Sequence, residues 1–156
     1  MFKSTEIVSV LNEMGITHVV WVPDSEMGQW ESELESSSLQ MVRVCREGEA
    51  WALAVGLTVG GARPLVMMQT TGLFESGDAL RHVVYDLQVP VYALVGARNW
   101  LKPEVKDSAA LYAQPLLQAW GVDFIIIDQP NQANQLSSHY ADCLKAGHVG
   151  LTLMAE

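Results

Sequence analysis

Along the chain, short apolar runs alternate with longer segments whose apolar positions recur at helical spacing. Residues 4–14 set Ile7, Val8, Val10, Leu11 and Met14 on one face, which predicts an amphipathic helix. The run 18–22, HVVWV, reads as a strand stopped by Pro23, residues 26–36 as a polar helix, and 39–44 as a second strand. Residues 47–59 form a helix rich in small residues, closed by Gly60 and Gly61. The alternation continues with a strand at 64–68, a polar turn at 69–72, a helix over roughly 74–87 and a strand at 90–95. A loop at 96–107 that carries Pro103 is followed by a helix at 108–120, a strand at 123–127, a helix at 131–146 and a last strand at 148–154. Strands of about five residues alternating with longer helices predict an α/β fold: an open, mainly parallel six-stranded sheet with helices on both faces. No linker, repeat or low-complexity tract divides residues 1–156, so a single domain is expected.

In such a sheet, ligands bind outside the carboxyl ends of the strands. The informative turns are therefore Pro23-Asp24-Ser25, Arg46-Glu47-Gly48-Glu49, Gln69-Thr70-Thr71-Gly72 and Gly96-Ala97-Arg98-Asn99. No GxGxxG follows the first strand, and neither GxxxxGK[ST] nor GxSxG occurs. Glu47 stands where an apolar strand meets an apolar helix. Two readings are open: a partly desolvated carboxyl able to share a proton at neutral pH, or a first-turn carboxylate held by the helix dipole. Asp24 and Ser25 read as turn or N-cap residues when taken alone. Gln69, Thr70, Thr71 and Gly72 gather donors and acceptors at the end of the third strand. Arg98 ends the next strand and is suited to an anionic ligand or to solvent. His18, His139 and His148 look structural, and His82 reads as a helix residue. The five tryptophans read as core or interface anchors.

Composition narrows the function. Nine Lys and Arg against eighteen Asp and Glu leave a net charge of −9, which excludes nucleic acid and disfavours an anionic membrane surface. The longest apolar stretch, Trp51 to Ala62, has about twelve residues and is too short to span a bilayer. Residues are 49% hydrophobic and only 17% charged, which fits either buried parallel strands or a surface kept for partners. Cys45 and Cys143 stand far apart without CxxC or Cys/His spacing, so reduced thiols in a cytoplasmic protein, and no metal ligand from this chain, are expected.

Four segments in register are recognisable: V-P-D-S at Val22–Ser25, R-E-G-E-A-W-A-L-A-V-G at Arg46–Gly56, V-M-M-Q-T-T-G-L at Val66–Leu73, and E-V-K-D at Glu104–Asp107. With them the chain resembles the pyrimidine-binding (Pyr) domain of thiamine-diphosphate-dependent decarboxylases. Within that family it is most similar to the sulfopyruvate- and phosphonopyruvate-type enzymes. The resemblance implies that Glu47 bonds N1′ of the cofactor's aminopyrimidine and activates it, with Asp24 assisting proton transfer. It implies that Gln69, Thr70, Thr71 and Gly72 line the cofactor pocket, and that Ser25 and Arg98 face a small 2-oxo acid. In the family a second domain with a GDG…N motif holds the diphosphate and Mg²⁺. No GDG occurs in these 156 residues. A separate diphosphate-binding (beta) subunit and a hetero-oligomer built by self-association are therefore expected.

The chain also departs from the family pattern. Lys106-Asp-Ser-Ala-Ala-Leu111 stands where K-D-E-P-Q-H is usual, and Gln69-Thr-Thr-Gly-Leu-Phe74 where Q-[NS]-S-G-L-G is usual. Both changes make the pocket more apolar. They point to a 2-oxo acid other than a phosphonate or sulfonate, or to a carboligase of the acetolactate-synthase kind. A catalytically silent regulatory subunit is the third reading.

Overall fold

A computed structural model describes residues 2–102 and 104–155. Pro103, in the loop anticipated at 96–107, lies outside the described residues. The elements run α1 (Ser4–Glu13), β1 (His18–Trp21), a 3₁₀ turn (Met27–Trp30), α2 (Glu31–Ser36), β2 (Gln40–Arg43), α3 (Glu47–Val59) and β3 (Pro64–Gln69). They continue with α4 (Thr70–Glu75), α5 (Gly77–His82), a π-helical turn (Val83–Leu87), β4 (Tyr92–Ala97) and α6 (Ser108–Ala119). The last are β5 (Asp123–Ile127), α7 (Ala133–Ala146) and β6 (Gly150–Ala155).

The six strands make one sheet in the order β2-β1-β3-β4-β6-β5, and every pairing is parallel. The expected α/β architecture is thus the observed one. Side chains alternate across the strands, as the pleat demands. Leu65 and Met67 join a core with Ile7, Leu11, Trp30, Leu34 and Leu136 on the face covered by α1, α2 and α7. Val66 and Met68 join Ala50, Trp51, Leu80 and Leu117 on the face covered by α3, α5 and α6. Burial on both faces accounts for the near-continuous apolar runs of β3, β4 and β6. No helix among the described residues is long and apolar enough to cross a membrane.

Two local expectations are corrected. The anticipated polar turn at 69–72 is instead the last residue of β3 followed directly by α4. The anticipated helix over 74–87 is broken at Ser76 and ends in a π turn. Ser76 is buried there because its hydroxyl accepts a 3.0 Å hydrogen bond from the indole N–H of the fully buried Trp51. The hydroxyl serves the buried indole while the Ser76 backbone keeps its helical bonds to Gly72 and Leu80.

Candidate active site

With all strands parallel, the four polar segments at 23–25, 46–49, 69–72 and 96–99 lie along a single edge of the sheet. Three carboxyls gather at the N-terminus of α3. Glu49 accepts from the backbone N–H groups of Cys45 and Arg46 at 3.2 and 3.3 Å, which satisfies donors the helix itself leaves open. Glu75, at the end of α4, accepts from Arg46 Nε at 3.0 Å and from the Gly48 N–H at 3.2 Å. The Arg46 guanidinium holds the Glu75 carboxyl below the usual carboxylate range, against a smaller opposing effect of burial. The third carboxyl, Glu47, is half-buried and makes no hydrogen bond among the described residues. The capping duties open to a first-turn glutamate are carried by its neighbours, and Glu47 is left without a hydrogen bond among the described residues.

Glu47 lies against α4. A Cβ at Gly72 would stand 2.5 Å from Glu47 Cγ and 2.7 Å from Cδ, so the missing side chain at Gly72 is what gives the carboxyl its place. Beside it, Thr70 is fully buried and its hydroxyl has no partner. An orphaned buried polar group of this kind costs about 1–3 kcal/mol. Thr71, by contrast, is exposed and borders none of the cavities described here.

Asp24 acts as a cap in the turn after β1. Its Oδ1 accepts from the N–H groups of Glu26 and Met27, both at 2.9 Å, and its Oδ2 accepts a long 3.3 Å bond from the Trp21 indole. This turn carries Ser25 into a cavity of about 390 Å³ that Gln69, Arg98 and Lys102 also line. Arg98 uses Nε to pair with Asp107 at 3.3 Å, and its terminal nitrogens are uncommitted among the described residues. Asp107 also accepts from Asn99 at 2.7 Å and caps α6 through the Ala109 N–H at 2.9 Å. The Asn99 bond is the main reason its carboxyl is held below the ordinary range. It also pins Asn99 in the left-handed region, at φ 57°. A second groove of about 630 Å³ adjoins this loop, with Trp100, Val105 and Leu111 among its walls.

The fold thus brings Ser25, Gln69 and Arg98 into one cavity, and Glu47 and Gly72 into contact, along the edge that also holds Asp24 and Thr70. Lys102 escaped sequence reasoning, because an exposed loop lysine carries no distinguishing pattern. His82 is a surface residue whose Nδ1 lies 2.7 Å from Asp86 Oδ2.

No protein-family model matches the chain. It is 22% identical over 139 residues to the sulfopyruvate decarboxylase subunit alpha of Methanococcus maripaludis, covering 87% of this chain and 83% of that one. It is 24% identical to the phosphonopyruvate decarboxylase of Streptomyces viridochromogenes, covering 92% of this chain but only 36% of the relative. Among solved structures, benzoylformate decarboxylase from Polynucleobacter necessarius superposes on 99% of the chain with a TM-score of 0.76 at 20% identity. A thiamine diphosphate-dependent 4-hydroxybenzoylformate decarboxylase from Rhodococcus jostii gives 0.72 at 21% identity. This chain resembles the Pyr subunit of a thiamine-diphosphate decarboxylase. It spans 30% of each of those two structures, whose fold it shares over that part.

Proposed function

We propose that this chain is the Pyr subunit of a two-subunit, thiamine-diphosphate-dependent carboxy-lyase acting on a small 2-oxo acid. The observation that carries the proposal is the Glu47 carboxyl: half-buried, without a hydrogen bond, and seated against a helix position kept free of a side chain. Such a group can share a proton with a ring nitrogen, and its service as acid or base depends on reach and a tunable pKa. The Thr70 hydroxyl, buried and without a partner among the described residues, is a second group open to a ligand. These residues fit the aminopyrimidine half of thiamine diphosphate, which when bound supplies the electron sink for decarboxylation.

Glu47 holds and returns the proton at N1′. Asp24 Oδ2, bound only by the long indole contact, is the oxygen free for a second proton transfer. Gln69, Thr70 and Gly72 shape the wall, with the exposed Thr71 at its rim. Arg98 and Lys102 offer positive charge to the carboxylate of the substrate, in a chain whose net charge is −9. The diphosphate and its Mg²⁺, which prefers carboxylate and phosphate oxygens, are held from outside these 156 residues. Likeness to a subunit alpha over most of its length favours a separate beta chain for that task.

One observation favours a carboligase as the second reading: exposed Leu111 walls an apolar groove next to the Arg98 loop, where an acceptor could sit. Analysis of the products from pyruvate separates the two, since a free aldehyde marks the lyase and an acyloin the ligase. The test of the main reading is turnover of the complex with its partner, with and without thiamine diphosphate. Glu47→Gln is expected to cut turnover by at least about 10²-fold, the scale of a lost acid–base group. Turnover near that of the unaltered complex would overturn the mechanism.

A further inference from the structure

The opposite edge of the sheet, where β4, β5 and β6 begin, carries a cluster that the proposed function does not use. Asp123 opens β5, His148 stands two residues before β6, and His139 and Cys143 lie one turn apart on α7. His148 Nε2 stands 3.0 Å from Asp123 Oδ2, and Cys143 Sγ 3.8 Å from the same oxygen. His139 Nε2 stands 3.2 Å from Asp123 Oδ1 and 3.6 Å from the Cys143 sulfur. One donor atom each from Asp123, Cys143 and His148 lies within 4.8 Å of the other two.

These spacings can be set against a metal. Tetrahedral zinc, with bonds of about 2.3 Å to sulfur and about 2.0–2.1 Å to nitrogen or oxygen, places S and N about 3.6 Å apart and N and O about 3.3 Å apart. The His148–Asp123 and Cys143–Asp123 separations, 3.0 and 3.8 Å, stand within about 0.3 Å of these values. Its surroundings support the same reading. Tyr92 OH lies 2.6 Å from His139 Nδ1 and 2.7 Å from Thr152 Oγ1, so the ring is oriented from behind. His139 in turn meets the Asp123 carboxylate through Nε2, and outer partners of this kind are regular companions of ligating carboxylates. A Cβ at Gly150 would stand 2.9 Å from Cys143 Cβ and 2.8 Å from Tyr92 Cε2, so the glycine makes room for both. The thiol is buried, whereas the Asp123 and His148 side chains are about half exposed, at 51% and 47%. They border a cavity of about 520 Å³ through which an ion can enter.

We propose that Asp123, Cys143 and His148 form a three-ligand zinc site, with the fourth position left to solvent, at the sheet edge opposite Glu47. A mixed set of imidazole, thiolate and carboxylate selects zinc or cobalt over magnesium and calcium, which favour all-oxygen shells. Binding releases the thiol proton to solvent, and no electron is transferred.

The test uses the full chain as purified, with any partner that accompanies it, freed of metal and titrated with Co²⁺ and Zn²⁺. One equivalent of Co²⁺ is expected to give tetrahedral d–d bands and a thiolate-to-cobalt charge-transfer band, both abolished by one equivalent of Zn²⁺. Cys143→Ser should remove the charge-transfer band, and His148→Gln, a change at a half-exposed site, should weaken binding at least about tenfold. Cys45→Ser and Glu47→Gln should leave the spectrum and affinity unchanged. Absence of the charge-transfer band, or its survival in Cys143→Ser, would overturn the site. Circular dichroism of each variant keeps a lost fold from passing as a lost ligand.

Discussion

Gly72→Ala isolates the contact on which the proposed mechanism rests. The new Cβ would stand 2.5 Å from Glu47 Cγ, whereas ordinary contact lies at 3.4–4 Å. The difference, 3.4 − 2.5 to 4.0 − 2.5, obliges the carboxyl to retreat by about 0.9–1.5 Å. Glu47 is a flexible side chain that can give way, so the fold suffers little. A gain of about 1 kcal/mol from replacing glycine within α4 opposes an overpacking cost of about 1–3 kcal/mol. The melting temperature should therefore move by no more than several degrees, at about 2–4 °C per kcal/mol for a domain of this size. Turnover should fall far more, because a displacement of about 1 Å in a positioning group can cost about 10²-fold. The assay is a double-mutant cycle on decarboxylation by the complex with its partner. In a Glu47→Gln background, Gly72→Ala should cost little more, since the group it displaces is already disabled. Full activity in Gly72→Ala would refute the contact as the basis of function. Equal losses in both backgrounds would assign the effect to something other than Glu47.

Three further outcomes follow from buried polar groups. Thr70→Val removes an unpartnered buried hydroxyl at nearly constant shape, and should raise the stability of the chain without cofactor by about 1–3 kcal/mol in urea unfolding. Ser76→Ala strands the Trp51 indole N–H in the core and should lower stability by a similar amount, about 1–3 kcal/mol, with a change in near-ultraviolet circular dichroism. Asp107→Ala removes the α6 cap and should cost about 1 kcal/mol at pH 7. Because the Asp107 carboxyl titrates lower in the folded chain than in the unfolded one, its contribution is complete above the unfolded value of about 3.9. It is lost as pH falls below that value and through the lower folded one, so the wild-type and Asp107→Ala unfolding curves should converge at acid pH.

Much of the fold was legible because its signal is local. The alternation of apolar runs and helical periods predicted six strands, and the carboxyl-edge rule drew attention to Asp24, Glu47, Gln69 and Arg98 before any coordinates. What stayed hidden depends on contacts between distant segments. The burial of the Ser76 hydroxyl answers to Trp51, 25 residues away. The unpaired state of Glu47 could not be read because it depends on Glu75 and Glu49 taking the donors around it. The grouping of Asp123, His139, Cys143 and His148 arises only when β5 and β6 are laid side by side. One signal was available: His139 and Cys143 stand four apart on a helix face. The apolar excess proved to have two sources. Most of it lines both faces of the sheet, but Leu101, Val105, Leu111 and Tyr112 remain exposed around the Arg98 loop and α6.

The all-parallel sheet also divides the molecule for an engineer. Every strand delivers its last residue to one edge, so under the proposed function substrate contacts fall on exit loops that no strand pairing depends on. The 98–107 segment can be exchanged for that of a relative with another 2-oxo acid preference while the strand register stays as it is. Under that proposal specificity becomes a matter of loop grafting, and an inventory of such grafts would map which side chains choose the substrate without ever redesigning the core.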